Sequence, residues 1–247
     1  MSTQMPLNSA SALIERLHIV EPNRVESFID SLLSTRSQKV IGFLNQHGFN
    51  LAVEDRAVLD DFAVMDFLLR DGVGIKIACQ YKNLEPGANL NGTDFIPTLM
   101  EKAGDSDQTI DYFVLGTESP WLEQGSKKLL GGRKCHLLHG FHEEGEYLDF
   151  VRSRARDGAL SIVLLAMGMP KQERVASVLR DNMKAPALVI CGGAIIDFQA
   201  GRFKRAPQIM RKLNLEWLFR LSREPQRLFS RYILGIPKFL FYLALKK

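Results

Sequence analysis

The chain is poor in cysteine and tryptophan, and several signatures that would fix its chemistry at a glance are missing. Its three cysteines, Cys79, Cys135 and Cys191, are far apart and odd in number, which excludes a disulfide framework and a paired-cysteine metal site. No uninterrupted apolar run reaches the ~20 residues that cross a bilayer. No N-terminal segment joins a basic start to an apolar core, so a reducing cytoplasm is the expected setting. Neither GxGxxG nor GxxxxGK[ST] occurs, and the dinucleotide fingerprint and the P-loop fail on spacing.

What is present is ordinary globular composition, 46% hydrophobic and 24% charged over 247 residues, enough for one large domain with an appendage. The net charge of +4 hides a division. Residues 201–247 carry twelve Lys or Arg against Glu216 and Glu224, a balance of +10, whereas residues 1–200 have twenty bases against twenty-six acids, a balance of −6. A tail so charged is expected to meet phosphate groups, nucleic acid or a lipid surface.

Residues 1–38 read as a peripheral helical region, with PNRVESFIDSLL as its amphipathic part. Six short apolar runs follow as strand candidates, at 39–45, 62–69, 110–116, 134–140, 161–166 and 187–193, with helical spacing between them. Such alternation predicts an α/β fold, a Rossmann-like, mostly parallel sheet with helices on both faces, over residues 1–200. Residues 201–247 read as a basic, amphipathic helical appendage in which Arg220, Arg223, Arg227 and Arg231 share one face if the helix runs through or restarts at Pro225. The terminal run PKFLFYLAL is too short to span a membrane and suited to lying on one.

Three strand-to-loop corners stand out: LLRDGVG, AMGMPKQE and CGGAIIDFQAGRFKRAP. Each sets small residues where the backbone turns, with polar groups at a helix start. Asp71 is a candidate general base, or else an Asp-Gly turn residue. Gln172 and Glu173 are candidates for holding a sugar or a nucleobase, or else first-turn residues of a helix. Arg202, Lys204 and Arg205, close after Asp197, can neutralise a diphosphate or form a solvated loop. His136, His139 and His142 alternate faces if they share a strand, which argues against a common metal. Asp105-Ser106-Asp107 precedes its strand, the wrong edge for a parallel-sheet active site, and reads as a turn.

From about Lys39 to Phe239 the chain resembles the WecG/TagA/CpsF glycosyltransferases, glycosyltransferase family twenty-six. The resemblance is carried by RDGVG, the NGTDF block, the LG of FVLG, HGF, MGMPKQE and GGAIIDFQAGRFKRAPQIMRKLNLEWLFRLSREPQRL. It implies an inverting transferase, independent of metal or other cofactor, that moves a sugar from a UDP-sugar to an undecaprenyl-diphosphate-linked saccharide. The setting implied is the inner face of the bacterial cytoplasmic membrane, in the synthesis of exopolysaccharide, capsule, common antigen or teichoic acid. N-Acetylmannosamine, its uronic acid and glucose are the donor sugars the resemblance suggests.

Carried onto this sequence, the resemblance makes Asp71 the catalytic base. It puts substrate contacts at Asn45, Gly72, Thr93, Asp94, Gly116, Gly140, Gln172, Glu173, Gly192, Gly193, Asp197 and Arg205, and at Arg220, Arg227 and Arg231 of a membrane-associating tail. Self-association is also implied. Two departures stand out: Phe43 occupies a position where the family usually has Thr, and Ser230 precedes Arg231 where paired arginines are common. The rival class is a nucleic-acid-binding protein that uses the basic tail, although the tail lacks the interleaved aromatics on which bases stack.

Overall fold

A computed structural model describes residues 9–245; residues 1–8 of the N-terminal region and the last two lysines lie outside the described residues. Two helices come first, α1 (Ser11–Glu15) and α2 (Val25–Leu33). Then follow β1 (Gln38–Leu44), α3 (Gln46–Glu54), α4 (Arg56–Ala63), β2 (Phe67–Arg70), α5 (Gly72–Tyr81), α6 (Gly92–Gly104) and β3 (Ile110–Gly116). The second half of the sheet alternates as α7 (Trp121–Leu129), β4 (His136–Leu138), α8 (Glu144–Arg152), β5 (Leu160–Ala166), α9 (Lys171–Asn182), β6 (Ala187–Cys191) and α10 (Ile195–Ala200). The tail holds α11 (Gln208–Lys212), α12 (Glu216–Arg223), α13 (Pro225–Phe229), a π turn (Ser230–Leu234) and α14 (Gly235–Leu245).

All six strand candidates form one parallel sheet, in the order β2-β1-β6-β5-β3-β4. Strands β5 and β6 are buried on both faces and read as continuous apolar runs for that reason. Val163, Leu165, Val189 and Cys191 pack to one side, and Ile162, Leu164, Leu188 and Ile190 to the other. One boundary moves: the run at 62–69 becomes strand only at Phe67, because Phe62 and Ala63 close α4 and bury their side chains from there.

The N-terminal helices are sewn into the core rather than lying loosely outside it. Leu13, Ile14, Phe28, Ile29 and Leu32 are buried, and Leu17 bridges to Leu68 while the His18 amide donates to the Leu68 carbonyl. That contact covers the outer edge of β2, an edge that would otherwise present unpaired backbone groups.

The connections after β5 and β3 leave in opposite directions along the sheet, which opens a crevice over the strands' carboxyl ends. Register decides which side chains meet there. Pairing of Leu44 with Arg70 sets the next residues, Asn45 and Asp71, side by side, and pairing of Leu165 with Cys191 aligns the corners after β5 and β6. Gly116 has φ of 143°, and a Cβ there would stand 2.1 Å from the Ala166 carbonyl oxygen, so only glycine fits this crossing of β3 and β5.

From Pro225 to Leu245 the tail is one 21-residue helical rod, of a length and composition compatible with crossing a membrane. Length therefore does not restrict this segment to a membrane surface, as the PKFLFYLAL run considered alone suggested; the apolar stretch continues back through the π turn. The rod lies along α3, with Phe239 against Phe49 at 5.3 Å between ring centroids, and Leu228, Tyr232 and Leu243 buried. Nine large apolar residues of residues 201–245, among them Ile209, Phe229, Leu234 and Phe241, remain exposed.

Helix α7 meets α10 at Gly125, where an added Cβ would lie 2.3 Å from the Ile196 carbonyl oxygen. Gly125→Ala must push α10 away and is expected to cost about 1–3 kcal/mol in denaturant unfolding. Gly145→Ala, at an exposed position of α8 with open space around it, should instead stabilise by about 0.5–1 kcal/mol.

Candidate active site

A cavity of about 700 Å³ occupies the crevice, and residues following every one of the six strands line it. Asn45 follows β1, Asp71 β2, Thr117 β3, Gly140 β4, Gln172 the β5 corner, and Gly192, Gly193 and Asp197 the β6 corner. Thr93 reaches it from α6, and Arg220, Arg227 and Arg231 close it from the tail.

Asp71 stands at the N-cap of α5 but makes no capping hydrogen bond. Its carboxylate turns sideways, where Asn45 Nδ2 donates to Oδ2 at 3.2 Å. The orientation of that amide is forced, because Asn45 Oδ1 already accepts from the His47 and Gly48 amides at 3.1 and 3.0 Å as the cap of α3. Burial pushes the Asp71 carboxyl up from its ordinary value, while the Asn45 bond, Arg231, Arg220 and Arg70 pull it back. A carboxylate so placed can take a proton from a bound hydroxyl.

The arginines are poised in a different way. Arg220 and Arg231 each carry a buried Nε–H with no hydrogen-bond acceptor, a costly state that a bound anion relieves. Burial lowers the pKa of Arg231, and burial and Arg231 together press the imidazole of His47 down to about 4, so His47 is neutral beside the cavity. The π turn aims Arg231 inward. It frees backbone carbonyls that α3 captures: Gln46 Nε2 donates to the Arg231 carbonyl at 3.0 Å and Asn50 Nδ2 to that of Gly235 at 2.8 Å.

Several expected contacts lie off the cavity wall. Asn91 caps α6 by accepting from the Asp94 amide, and the Asp94 carboxylate binds Arg205 at 2.6 Å, so Arg205 is paired with α6 and neither Asp94 nor Arg205 lines the cavity. Gly116 lies beneath Thr117, and Gly72 faces a neighbouring cavity. Glu173 is fully buried behind the wall; it accepts from Gln172 Nε2 at 2.7 Å while Gln172 Oε1 accepts from the Gly193 amide at 2.8 Å. Gln172 thus ties the β5 and β6 corners together, and Glu173 orients it.

Phe43, already marked as a departure, and Thr117 and Lys171, which pattern did not single out, also form the wall. Phe43 packs its ring 6.2 Å from Phe95, giving an apolar wall where the resemblance leads one to expect a hydroxyl. Thr117 Oγ1 donates to Asp197 Oδ1 at 2.8 Å, and Lys171 Nζ donates to the carbonyls of Gly140 and His142. Strand β4 ends at Leu138, so His139 and His142 do not alternate faces but stack at 4.2 Å in the following loop, away from His136. Among the described residues no group of three or more His, Cys, Asp or Glu side chains is set to hold a metal ion. Asp105 lies at the opposite end of the sheet and faces Arg133.

A family model described as Glycosyl transferase WecG/TagA/CpsF family matches residues 12–247. The chain belongs to this family. It is therefore a glycosyltransferase with a cavity built on the strand ends of a Rossmann-like sheet. It is also 26% identical, over 88% of its length and 85% of the other protein, to the N-acetylglucosaminyldiphosphoundecaprenol N-acetyl-beta-D-mannosaminyltransferase of Bacillus subtilis (strain 168).

Burial raises the Glu173 carboxyl from 4.5 to about 7 and that of Asp61 from 3.8 to about 6. The folded state holds these protons more tightly than the unfolded chain does, so the contribution of these two groups to stability is greatest at acid pH and falls as pH rises through these ranges. For Glu173 the loss is about 3 kcal/mol, complete above about pH 7. Glu173→Gln should flatten this slope between pH 5 and 8, as followed by denaturant unfolding; an unchanged slope would show that Glu173 ionises freely.

Proposed function

We propose that the protein is an inverting, metal-independent glycosyltransferase that moves a sugar from a UDP-sugar to a polyprenyl-diphosphate-linked saccharide in bacterial surface polysaccharide synthesis. The observation that carries this reading is Asp71: a residue at a helix N-cap that leaves the cap unmade and directs its carboxylate into a cavity shared with Arg220 and Arg231. A turn residue would not do so. The relative named above transfers a sugar to a saccharide on undecaprenyl diphosphate, which supports the same class of acceptor here.

The reaction follows from the arrangement. Asp71 accepts the proton of an acceptor hydroxyl as that oxygen bonds to the donor's anomeric carbon. The bond from that carbon to the β-phosphate oxygen breaks on the opposite face, and its electron pair leaves with UDP, which inverts the centre. Arg220, Arg227 and Arg231 neutralise the departing diphosphate, the task a divalent ion performs elsewhere. Gln172, Gly193 and Asp197 border the donor's side of the cavity.

The exposed apolar residues and basic charge of the tail suit attachment to an anionic bilayer, peripherally on the cytoplasmic face. A nucleic-acid role fits the tail less well. Arg205 is bound to Asp94, and Arg220 and Arg231 turn inward to the cavity, so these charges do not form an outward stripe along a polymer.

Asp71→Asn is expected to lower kcat by roughly 10²- to 10⁴-fold while UDP still raises the melting temperature. Undiminished turnover would remove Asp71 from the chemistry. In the unmodified enzyme the acid limb of the rate profile should lie above the ordinary carboxylate range, with activity lost as pH falls. Arg231→Gln removes a charge that holds the Asp71 carboxyl down, so the limb should move to higher pH in addition to any loss of rate.

A further inference from the structure

A second cavity, of about 320 Å³, lies on the other side of Asp71. Asn45, Asp71, Arg220 and Arg231 line both cavities and form the partition between them. The two spaces differ in chemistry. The larger is bordered by polar strand-end corners, whereas the smaller runs between α5 and the tail, with Val73 and Ile77 on one wall and Trp217, Tyr232, Ile236 and Leu240 on the other. Ile77 and Leu240 are 43% and 48% exposed, so this apolar wall continues out to the surface.

The inner end of the small cavity is charged. Arg211 lines it and not the larger one, and its buried Nε–H has no hydrogen-bond acceptor, as is true of Arg220 and Arg231 beside it. Its NH1 is 3.8 Å from Asp94, too long for a hydrogen bond. The acids facing the same space are Asp71 and Glu216. Three guanidinium groups against two carboxylates, at the inner end of a largely apolar cavity, match a ligand with an anionic head and a hydrocarbon tail.

We propose, on the transferase reading above, that this second cavity is the acceptor's chamber. The acceptor's diphosphate sits against Arg211, which lines this cavity and not the larger one, while Arg220 and Arg231 on the partition face the donor's diphosphate. Its first isoprene units run outward between Ile77 of α5 and Leu240 of α14, and its sugar reaches the partition, where a hydroxyl meets Asp71. Donor and acceptor then approach from opposite sides of one carboxylate. That geometry delivers the attacking oxygen to the face away from the leaving group. The surface at which the chamber opens also carries exposed apolar side chains of α14, so the lipid need not pass through water to enter.

The test compares two detergent-dispersed acceptors with the same sugar diphosphate, one on a long polyprenyl chain and one on a short alkyl chain. Ile77→Asp and Leu240→Asp, each at a half-exposed position, should lower the ratio of kcat/KM for the long-chain over the short-chain acceptor by about 10-fold or more. Ile233→Asp, an exposed apolar position of the same rod that lines neither cavity, should leave that ratio within about twofold of the unmodified enzyme. Arg211→Gln should raise KM for both acceptors without weakening the protection that UDP gives against thermal unfolding. An unchanged ratio in both chamber variants, or an equal fall in Ile233→Asp, would overturn the chamber assignment while leaving the transferase reading intact. Failure of the unmodified enzyme to use any such acceptor with any UDP-sugar would instead remove the transferase reading itself.

Discussion

One amide holds the site together. Asn45 Oδ1 caps α3 and its Nδ2 holds Asp71, so the turn out of β1 and the acid at the end of β2 are set by the same side chain. Parallel pairing of β1 with β2 brings the two residues level, and the cap leaves only the amide's donor end for the carboxylate. An aspartate in that position or a flipped amide would set two oxygens against each other. The consequence for Asp71 is a half-buried acid with a single neutral hydrogen-bond partner and cations at a distance, which keeps it ionisable yet more basic than a solvated carboxylate.

The same helix then fixes the tail. Gln46 and Asn50 follow the cap on α3 and take up the carbonyls around the π turn, while Phe49 packs on Phe239 and Glu54 pairs with Lys238. The position of Arg231 relative to Asp71 is thereby measured from α3 and not from the long path through α11 and α12. A separate tie joins α6 to the loop before α11 through Asp94 and Arg205. NGTDF and GRFKRAP, more than a hundred residues apart in sequence, are thus two halves of one ion pair that pins the base of the tail to α6, off the cavity wall.

Much of this was legible in the residues. Apolar runs of strand length, three of them ending in glycine-bearing corners, located the sheet and its working edge, and the spacing of Arg220, Arg223, Arg227 and Arg231 set them on one face of the tail, although Arg223 does not line the cavity with the other three. Pattern could not show where a side chain's partner comes from. Arg205 looks like a phosphate ligand until Asp94 is seen beside it, and Glu173 looks like a sugar contact until it proves fully buried beneath Gln172. Phe62 and Ala63 read as strand because a buried helix turn and a buried strand share the same composition. The length of the final rod was hidden by Pro237 and by the polar residues around Ser230, which a helix with a π turn accommodates.

The charge division gains its meaning from where the tail's cations end up. A surplus of +10 on a −6 core draws tail and core together at long range, but at close range Arg211, Arg220 and Arg231 are half-buried or more, with Nε–H groups that meet no acceptor. Burying guanidinium donors unpaired opposes closure, and the apolar packing of Leu228, Tyr232 and Phe239 offsets it. Anionic ligands on either side of Asp71 would convert that opposition into attraction. On the proposed reading, closure of the tail and occupation of the two chambers are then one coupled equilibrium, and the enzyme is most tightly closed when donor and acceptor are both in place.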